Sequence, residues 1–538
     1  MLSSSPSKWK ILLSGRAEGD GRKEHEGELG GGLKDIRVKE ALSSKIARVF
    51  AGKTGERDRP VQQSSFLDMP YELLDRVMFF VPKSDLCAAR ATCYQLGEML
   101  QERFFGEIWV DCVKHGSRRT GAFFRQLATG KSRASTFTKT LHIVNLVPFT
   151  HPAQSEWQNP DIDSHLRPIQ QNFVAPAFKA LRNVTTVHWR LKISDPYGTM
   201  CDALAGTASL RNLHVYFDRW ARDAVFPFDK FGGLQRLFIH PGGYTDPINC
   251  ETIPSIRKLI AGSPNLRELG FMVVPRTTQP QQVTFDDFFL PDAPILISAL
   301  HISSSFTSQR MRAWGLLDKL TVLDIPNADP LGDNALWKLF AAKGLQLQAL
   351  KITYFSQKLV DYLMTYDGLA ELVVREAHVA GEVAREIVHS RLFNDVLPMH
   401  RRSLRKLQLQ FTRLNLLSGE SWTIDQEVLS SVAGCRELRE LGLPASCDIV
   451  DRVSDLKVAL CEIVPVASTL PYLRVLRLFP PLIFRQWPMF DLADAEAAAS
   501  DIVVEGPAQY SFEIWLDDHR FKVSKETDGG YRLVPDSR

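Results

Sequence analysis

The chain has 538 residues, 44% hydrophobic and 24% charged, with 65 Lys plus Arg against 62 Asp plus Glu and a formal net charge of +3. This is ordinary globular composition, so the chain as a whole is neither disordered nor fibrous, and length alone suggests about three or four domains. The length and balance exclude a small secreted scaffold and a basic DNA-binding module. So little net charge does not advertise nucleic acid or an anionic membrane as the main partner. Enzyme, scaffold and adaptor stay open. The eight cysteines (Cys87, Cys93, Cys112, Cys201, Cys250, Cys435, Cys447 and Cys461) form no C-x-x-C pair. Eight is too thin for a disulfide framework, so reduced thiols in cytosol or nucleus are expected. The longest apolar run near the N-terminus is Ile11-Leu12-Leu13, far short of a signal-peptide core or a membrane span.

Residues 1–62 are rich in Gly, Ser, Lys, Arg and Glu and poor in aromatics, which predicts a disordered tail with a short amphipathic helix over 38–50. Residues 47–54 (ARVFAGKT) fit a permissive phosphate-loop pattern with Ala47 in place of the first glycine. That chemistry needs a glycine-rich turn between a buried strand and a helix. Here the preceding residues read as helix, so a nucleotide-binding enzyme is kept only as an alternative reading.

The next segment, 63–112, predicts a small all-α unit of three helices. Pro70 suits the first turn of a helix that carries Leu73, Leu74, Val77 and Val81. Pro82 stops it, and Ser84 or Asp85 can cap a second helix with Leu86, Ala89 and Cys93 on one face. A third helix is expected over 96–105. These residues resemble an F-box: its Leu-Pro opening stands here as Met69-Pro70, followed by Leu73, Leu74, Val77 and Val81. Asp85-Leu86 match the Asp-Leu of its second helix, and Cys93 the small or sulfur residue that ends it. The match covers about 45 residues, 66–110, and departs from the family pattern at Met69 and at Tyr94-Gln95-Leu96. The resemblance implies that Met69, Pro70, Leu73, Leu74, Val77, Val81, Asp85, Leu86 and Cys93 form a surface for a Skp-type adaptor.

After a helical linker (113–136), the pattern L-x-x-L-x-L recurs through 137–482, each instance preceded by an amphipathic helix. Its last two apolar positions fall at Leu141/Ile143, Val187/Trp189, Leu213/Val215, Leu237/Ile239, Leu269/Phe271 and Leu300/Ile302. They continue at Leu323/Ile325, Leu350/Ile352, Leu372/Val374, Leu407/Leu409, Leu441/Leu443 and Leu476/Leu478. The steps run from 22 to 46 residues, most within or just above the span of a leucine-rich repeat. The 46-residue step could hold a degenerate unit near 173–181. Helical spacing recurs between strands at Ile253-Ile256-Leu259-Ile260, Leu336-Leu339-Phe340, Leu359-Leu363, Val383-Ile387 and Leu456-Leu460-Ile463. The expected fold class is therefore α/β, an irregular solenoid of short parallel strands inside and helices outside. Residues 483–538 alternate at 510–515 and 520–523 around Asp517-Asp518-His519, and 531–534 could add a third strand, which predicts a cap.

A leucine-rich array behind an F-box is similar in layout to the F-box/leucine-rich-repeat group, in its irregular fungal form. The resemblance implies the substrate-recognition subunit of a Skp–cullin–F-box ubiquitin ligase. Its partners would be the adaptor, cullin through it, and an unknown target protein, with no covalent chemistry and no cofactor of its own. An adaptor-bound scaffold outside the ligase is the alternative.

The residue between the last two apolar positions points to the concave face. Those residues are His142, His188, His214, Phe238, Gly270, His301, Asp324, Lys351, Val373, Gln408, Gly442 and Arg477. Four of twelve are histidine, where 13 in 538 gives about 0.3 by composition. His188, His214, Phe238 and His301 are the candidate substrate-binding residues, as an imidazolium ladder reading an acidic or phosphorylated segment, or simply as histidines tolerated on an exposed strand. No metal is expected there, since zinc histidines come with cysteines or carboxylates in a closed tetrahedron. Arg401, Arg402, Arg405 and Lys406 read as a solvated helix end.

Overall fold

A computed structural model describes residues 69–112, 117–146, 168–192, 195–218, 225–240, 250–272, 285–290, 296–302, 317–326, 334–353, 355–375, 382–410, 424–444, 452–479, 492–500, 512–516, 519–525 and 531–535. The tail 1–62 and the phosphate-loop-like segment 47–54 lie outside them. The chain divides into two compact units, one up to Phe104 and one from Phe105 onward.

The first unit is helical: α1 (Tyr71–Phe79), α2 (Lys83–Thr92), α3 (Tyr94–Met99) and α4 (Gln101–Phe105). The expected third helix starts two residues early and breaks at Leu100. Pro70 and Pro82 are the N-caps, each offering its carbonyl to the first turn: Leu73 and Leu74 donate to Pro70 O at 3.0 Å, and Asp85 donates to Pro82 O at 2.9 Å. The capping role expected of Ser84 or Asp85 therefore falls to Pro82, with no side-chain cap. The core is Leu74, Met78, Leu86, Leu96 and Leu100, with Met69, Val81, Ala89 and Cys93 packed against it. Arg103 ties α4 back to the end of α1, donating to Phe79 O (2.6 Å) and Val81 O (3.0 Å).

The second unit is α/β, built on one sixteen-stranded sheet whose strands lie side by side strictly in chain order. Its first half is β1 (Glu107–Asp111), β2 (Thr140–Asn145), β3 (Thr186–Leu191), β4 (Asn212–Phe217), β5 (Arg236–His240), β6 (Glu268–Phe271), β7 (Ala299–Ile302) and β8 (Val322–Ile325). The second half is β9 (Ala349–Ile352), β10 (Glu371–Val374), β11 (Lys406–Leu409), β12 (Glu440–Pro444), β13 (Val475–Phe479), β14 (Glu513–Leu516), β15 (His519–Lys525) and β16 (Tyr531–Pro535). All pairings through β14 are parallel, and β14–β15–β16 are antiparallel. The twelve expected repeat strands are β2 to β13. The sheet also starts earlier, since β1 lies inside the segment read above as helical. It also runs on through the segment read as a cap. No strand stands near 173–181: the segment is helix (Gln170–Val174, Ala175–Lys179), and β2 pairs directly with β3.

Both residues of each apolar pair point into the core, and they are buried throughout, from Leu141 and Ile143 to Leu476 and Leu478. Helices supply the opposing side: Ile256 and Leu259, Leu359 and Leu363, and Leu456, Leu460 and Ile463 belong to the same apolar cluster. A strand–helix unit cannot bury its own apolar face, so each relies on its neighbours. Helix Glu382–Arg391 turns differently from the expected Val383–Ile387 face. Val388 is buried and Ile387 exposed, because the phase is set by Leu392 and Val396 in the turn that follows.

Register is locked just before each strand. One carbonyl accepts from two successive N–H groups of the next unit: Lys139 O from Thr185 and Thr186, Thr185 O from Arg211 and Asn212, then Arg211 O from Gln235 and Arg236. The chain of carbonyls runs on to Arg439, which serves Arg474 and Val475. Buried His400 ties a turn to its neighbour in the same way, accepting from Leu369 N–H at Nδ1 (3.2 Å) while Nε2 faces Leu363 O at 3.0 Å. Arg401, Arg402 and Arg405 are exposed beyond the end of helix Leu397–His400. Among the described residues no helix is long and apolar enough to cross a membrane.

Candidate functional site

The sheet face opposite the helices carries the residues between the buried pairs, and the ladder sets them in register. From β1 to β5 they are Trp109, His142, His188, His214 and Phe238. Strand spacing of about 4.8 Å suits stacked rings, and these rings stack. Centroids are 3.9 Å apart for Trp109–His142, 4.6 Å for His142–His188, 4.3 Å for His188–His214 and 4.6 Å for His214–Phe238. Tyr216 and His240 stack at 4.4 Å two residues further along β4 and β5. The row continues past Gly270 to His301, whose ring is tilted against Phe238 at 5.1 Å.

Gly270 is what lets Phe238 lie flat. A Cβ there would stand 2.2 Å from Phe238 Cδ1 and 2.8 Å from Cε1, so the whole ring would have to move. Gly270→Ala is expected to push Phe238 off His214 and cost about 1–3 kcal/mol through overpacking. Urea denaturation checks the cost, and an unchanged midpoint would mean that the ring row carries no stability at this end.

Burial and neighbours act differently on the histidines of this face. Burial, then neighbouring imidazoles, lowers His188 to about 4 and His214 to about 3, and burial lowers His240 to about 4. These rings are neutral at pH 7 and offer one N–H and one lone pair each. The imidazolium ladder expected at His188 and His214 is thus corrected to an uncharged aromatic row: stacking excludes the water that a cation would need. His301 behaves oppositely. Burial opposes its charge, but Asp324 and Glu268 overcome that and raise its pKa. Its Nδ1 lies 3.3 Å from Asp324 Oδ2 and its Nε2 3.3 Å from Glu268 Oε1. Arg236 completes the chain at Glu268 (3.0 Å), and Arg375 completes it at Asp324 (3.1 Å). His301 is therefore the centre of a chain of paired groups across β5 to β10.

The structure brings His188, His214, Phe238 and His301 together in one row. Of the adaptor-binding candidates it places Leu74 and Leu86 in the core of the helical unit, with Met69, Val81 and Cys93 against them. Pro70, Leu73, Val77 and Asp85 are exposed. Beside them Tyr71, Phe79, Phe80 and Tyr94 are also exposed, at 62%, 70%, 78% and 80%. The sequence reading missed these four aromatics, and also Trp109, Tyr216 and His240 of the open face. Trp109 was findable, since Phe105-x-x-Ile108-x-Val110 fits the repeat. Among the described residues no group of three or more His, Cys, Asp or Glu is placed to hold a metal ion. No family model matches the chain, and no curated protein matches it in sequence.

Proposed function

We propose that the chain is the substrate-recognition subunit of a Skp–cullin–F-box ubiquitin ligase. The helical unit is its F-box, and the repeat array is a leucine-rich-repeat receptor whose open face takes the target protein. The observation that carries the reading is the split of the apolar residues on α1. Leu74 and Met78 serve the unit's own core, while Leu73 and Val77 face solvent together with Tyr71, Phe79 and Phe80. Exposed rings of this size, grouped on one short helix and its C-cap, suit a docking surface better than a unit that stands alone. The chain then does no covalent chemistry and acts by holding a target near a loaded conjugating enzyme.

Exposure makes the test clean. Leu73→Ala with Val77→Ala removes apolar contact without opening the core, and is expected to lower recovery of a Skp-type adaptor on the order of tenfold. The circular-dichroism melt should be unchanged. Equal recovery would contradict the F-box reading. Cullin recovered with the wild-type chain distinguishes a ligase subunit from an adaptor-bound scaffold.

A further inference from the structure

Most cations of the open face are already spoken for. Arg190 pairs with Asp218 at 3.2 Å, Arg236 with Glu268 at 3.0 Å, Arg375 with Asp324 at 3.1 Å and Lys406 with Glu440 at 2.5 Å. His301 is held between two carboxylates. Arg477 on β13 is different. No described carboxylate pairs with it, and its Nε is buried without a hydrogen-bond acceptor. The residue beside it in register on β14 is Trp515, whose indole Nε1 is also buried without an acceptor. Lys351, the other cation of the row without a described carboxylate partner, has no orphaned donor beside it.

Both side chains are held in place. The Arg477 guanidinium carbon lies 5.0 Å from the centroid of the Trp515 indole, and Arg520 flanks the same ring from β15 at 5.7 Å. Arg520 is itself bonded to Glu513, so that carboxylate is committed. Toward β12 the neighbour of Arg477 is Gly442, whose empty side-chain position is filled by Phe479: a Cβ there would stand 2.6 Å from Phe479 Cε2. A permanently charged fork thus lies over an indole, and its own Nε and the indole Nε1 both have nothing to bond. Leaving a buried donor unmet costs about 1–3 kcal/mol. An anionic acceptor would recover that and gain a charge-assisted bond, which a neutral carbonyl would not match.

We propose that Arg477 and Trp515 form an anion-binding subsite on the open face, taking a carboxylate or phosphate group of the bound protein segment. The assignment rests on the reading of that face as the receptor surface. It moves the recognition of acidic groups away from His188 and His214 and to the other end of the sheet.

Fluorine NMR of the full chain labelled with fluorotryptophan tests it. The resonance lost in Trp515→Phe identifies Trp515 among the ten tryptophans. Acetate, inorganic phosphate and chloride are then titrated at constant ionic strength. The expected result is a saturable shift of the Trp515 resonance with acetate or phosphate and none with chloride. Tighter response to acetate assigns an acidic side chain, and tighter response to phosphate a phosphorylated one. Arg477→Met should abolish the shift while the other resonances hold their positions. Arg477→Lys, which keeps the charge but loses the fork, should weaken it at least tenfold and serves if Arg477→Met does not fold. A Trp515 resonance that stays still with both anions, or moves equally in the variants, overturns the subsite. If the chain still recovers the adaptor in that case, the receptor reading stands without it. A shift in a chain that recovers no adaptor leaves the subsite and removes the ligase.

Discussion

Replacing Trp189 by alanine is expected to cost about 3–5 kcal/mol, among the largest effects of any single side chain in the array. The residue is fully buried on β3 and packs edge-on against Phe226 at 5.4 Å. Its indole also donates to Asp195 Oδ2 at 3.2 Å, where the Lys192 N–H donates at 3.0 Å. Asp195 Oδ1 is buried and has no partner, and burial lifts the carboxyl to about 6. Truncation therefore leaves a cavity beside an acid that has just lost one of its two donors. Trp189→Phe separates the two effects, because it keeps most of the volume and loses the bond. It should cost about 1–3 kcal/mol. Urea denaturation of both variants decides the matter, and a Trp189→Phe chain as stable as wild type would mean that the indole N–H contributes nothing.

The second large effect is on acid stability. His188, His214 and His240 hold folded values of about 4, 3 and 4 against an ordinary 6.5. The unfolded chain therefore binds protons first. Their contribution is intact above pH 6.5 and drains away as pH falls toward 4 and 3. The ceiling is about 2 kcal/mol per ring at pH 5, and water at the ring edges reduces this to about 1 kcal/mol. His301 and Asp195, both raised, run the other way: their contribution is present on the acid side and lost as pH rises through their folded values. His389 and His400, also lowered by burial, add to the loss, as do the lowered carboxyls of Glu268 and Asp324. The balance is a net loss on acidification. His188→Phe with His214→Phe keeps rings in the stack and removes two titrations. The double variant should lose markedly less stability than wild type between pH 7 and pH 5, read from urea midpoints at each pH. An identical loss in both proteins would sink the explanation.

Much of the array was legible because its signal is local. Leu213-x-Val215 or Leu407-x-Leu409 announces a strand without reference to anything distant, and β2 to β13 stand where that spacing put them. β1 escaped because Ile108 and Val110 follow directly on helical residues, and a reading that gave them to the helical unit had no reason to count another repeat. Helix phase at Val388 escaped for a related reason: Val383 and Ile387 fit helical spacing, but Leu392 and Val396 lie beyond the helix end and decide which face turns inward. The open face was legible as a list and illegible as chemistry. His188 and His214 could be placed side by side, yet whether they carry charge depends on stacking between strands 26 residues apart. The Arg477–Trp515 contact joins residues 38 apart across helix Leu492–Ser500, and nothing near either residue signals the other.

The strict chain order of the sheet has a consequence for how the protein comes apart. Every strand from β2 to β15 has as partners only the strand before it and the strand after it. Contacts are therefore short in sequence, and ordering can begin at any well-packed unit and spread outward by addition. The same arrangement offers no bypass. A fault in the middle, at β7 or β8, divides the sheet into two segments that each acquire a raw end, whereas a fault at β16 only frays one. Damage to this protein is thus weighted by where along the line it falls as much as by how large the lost side chain is.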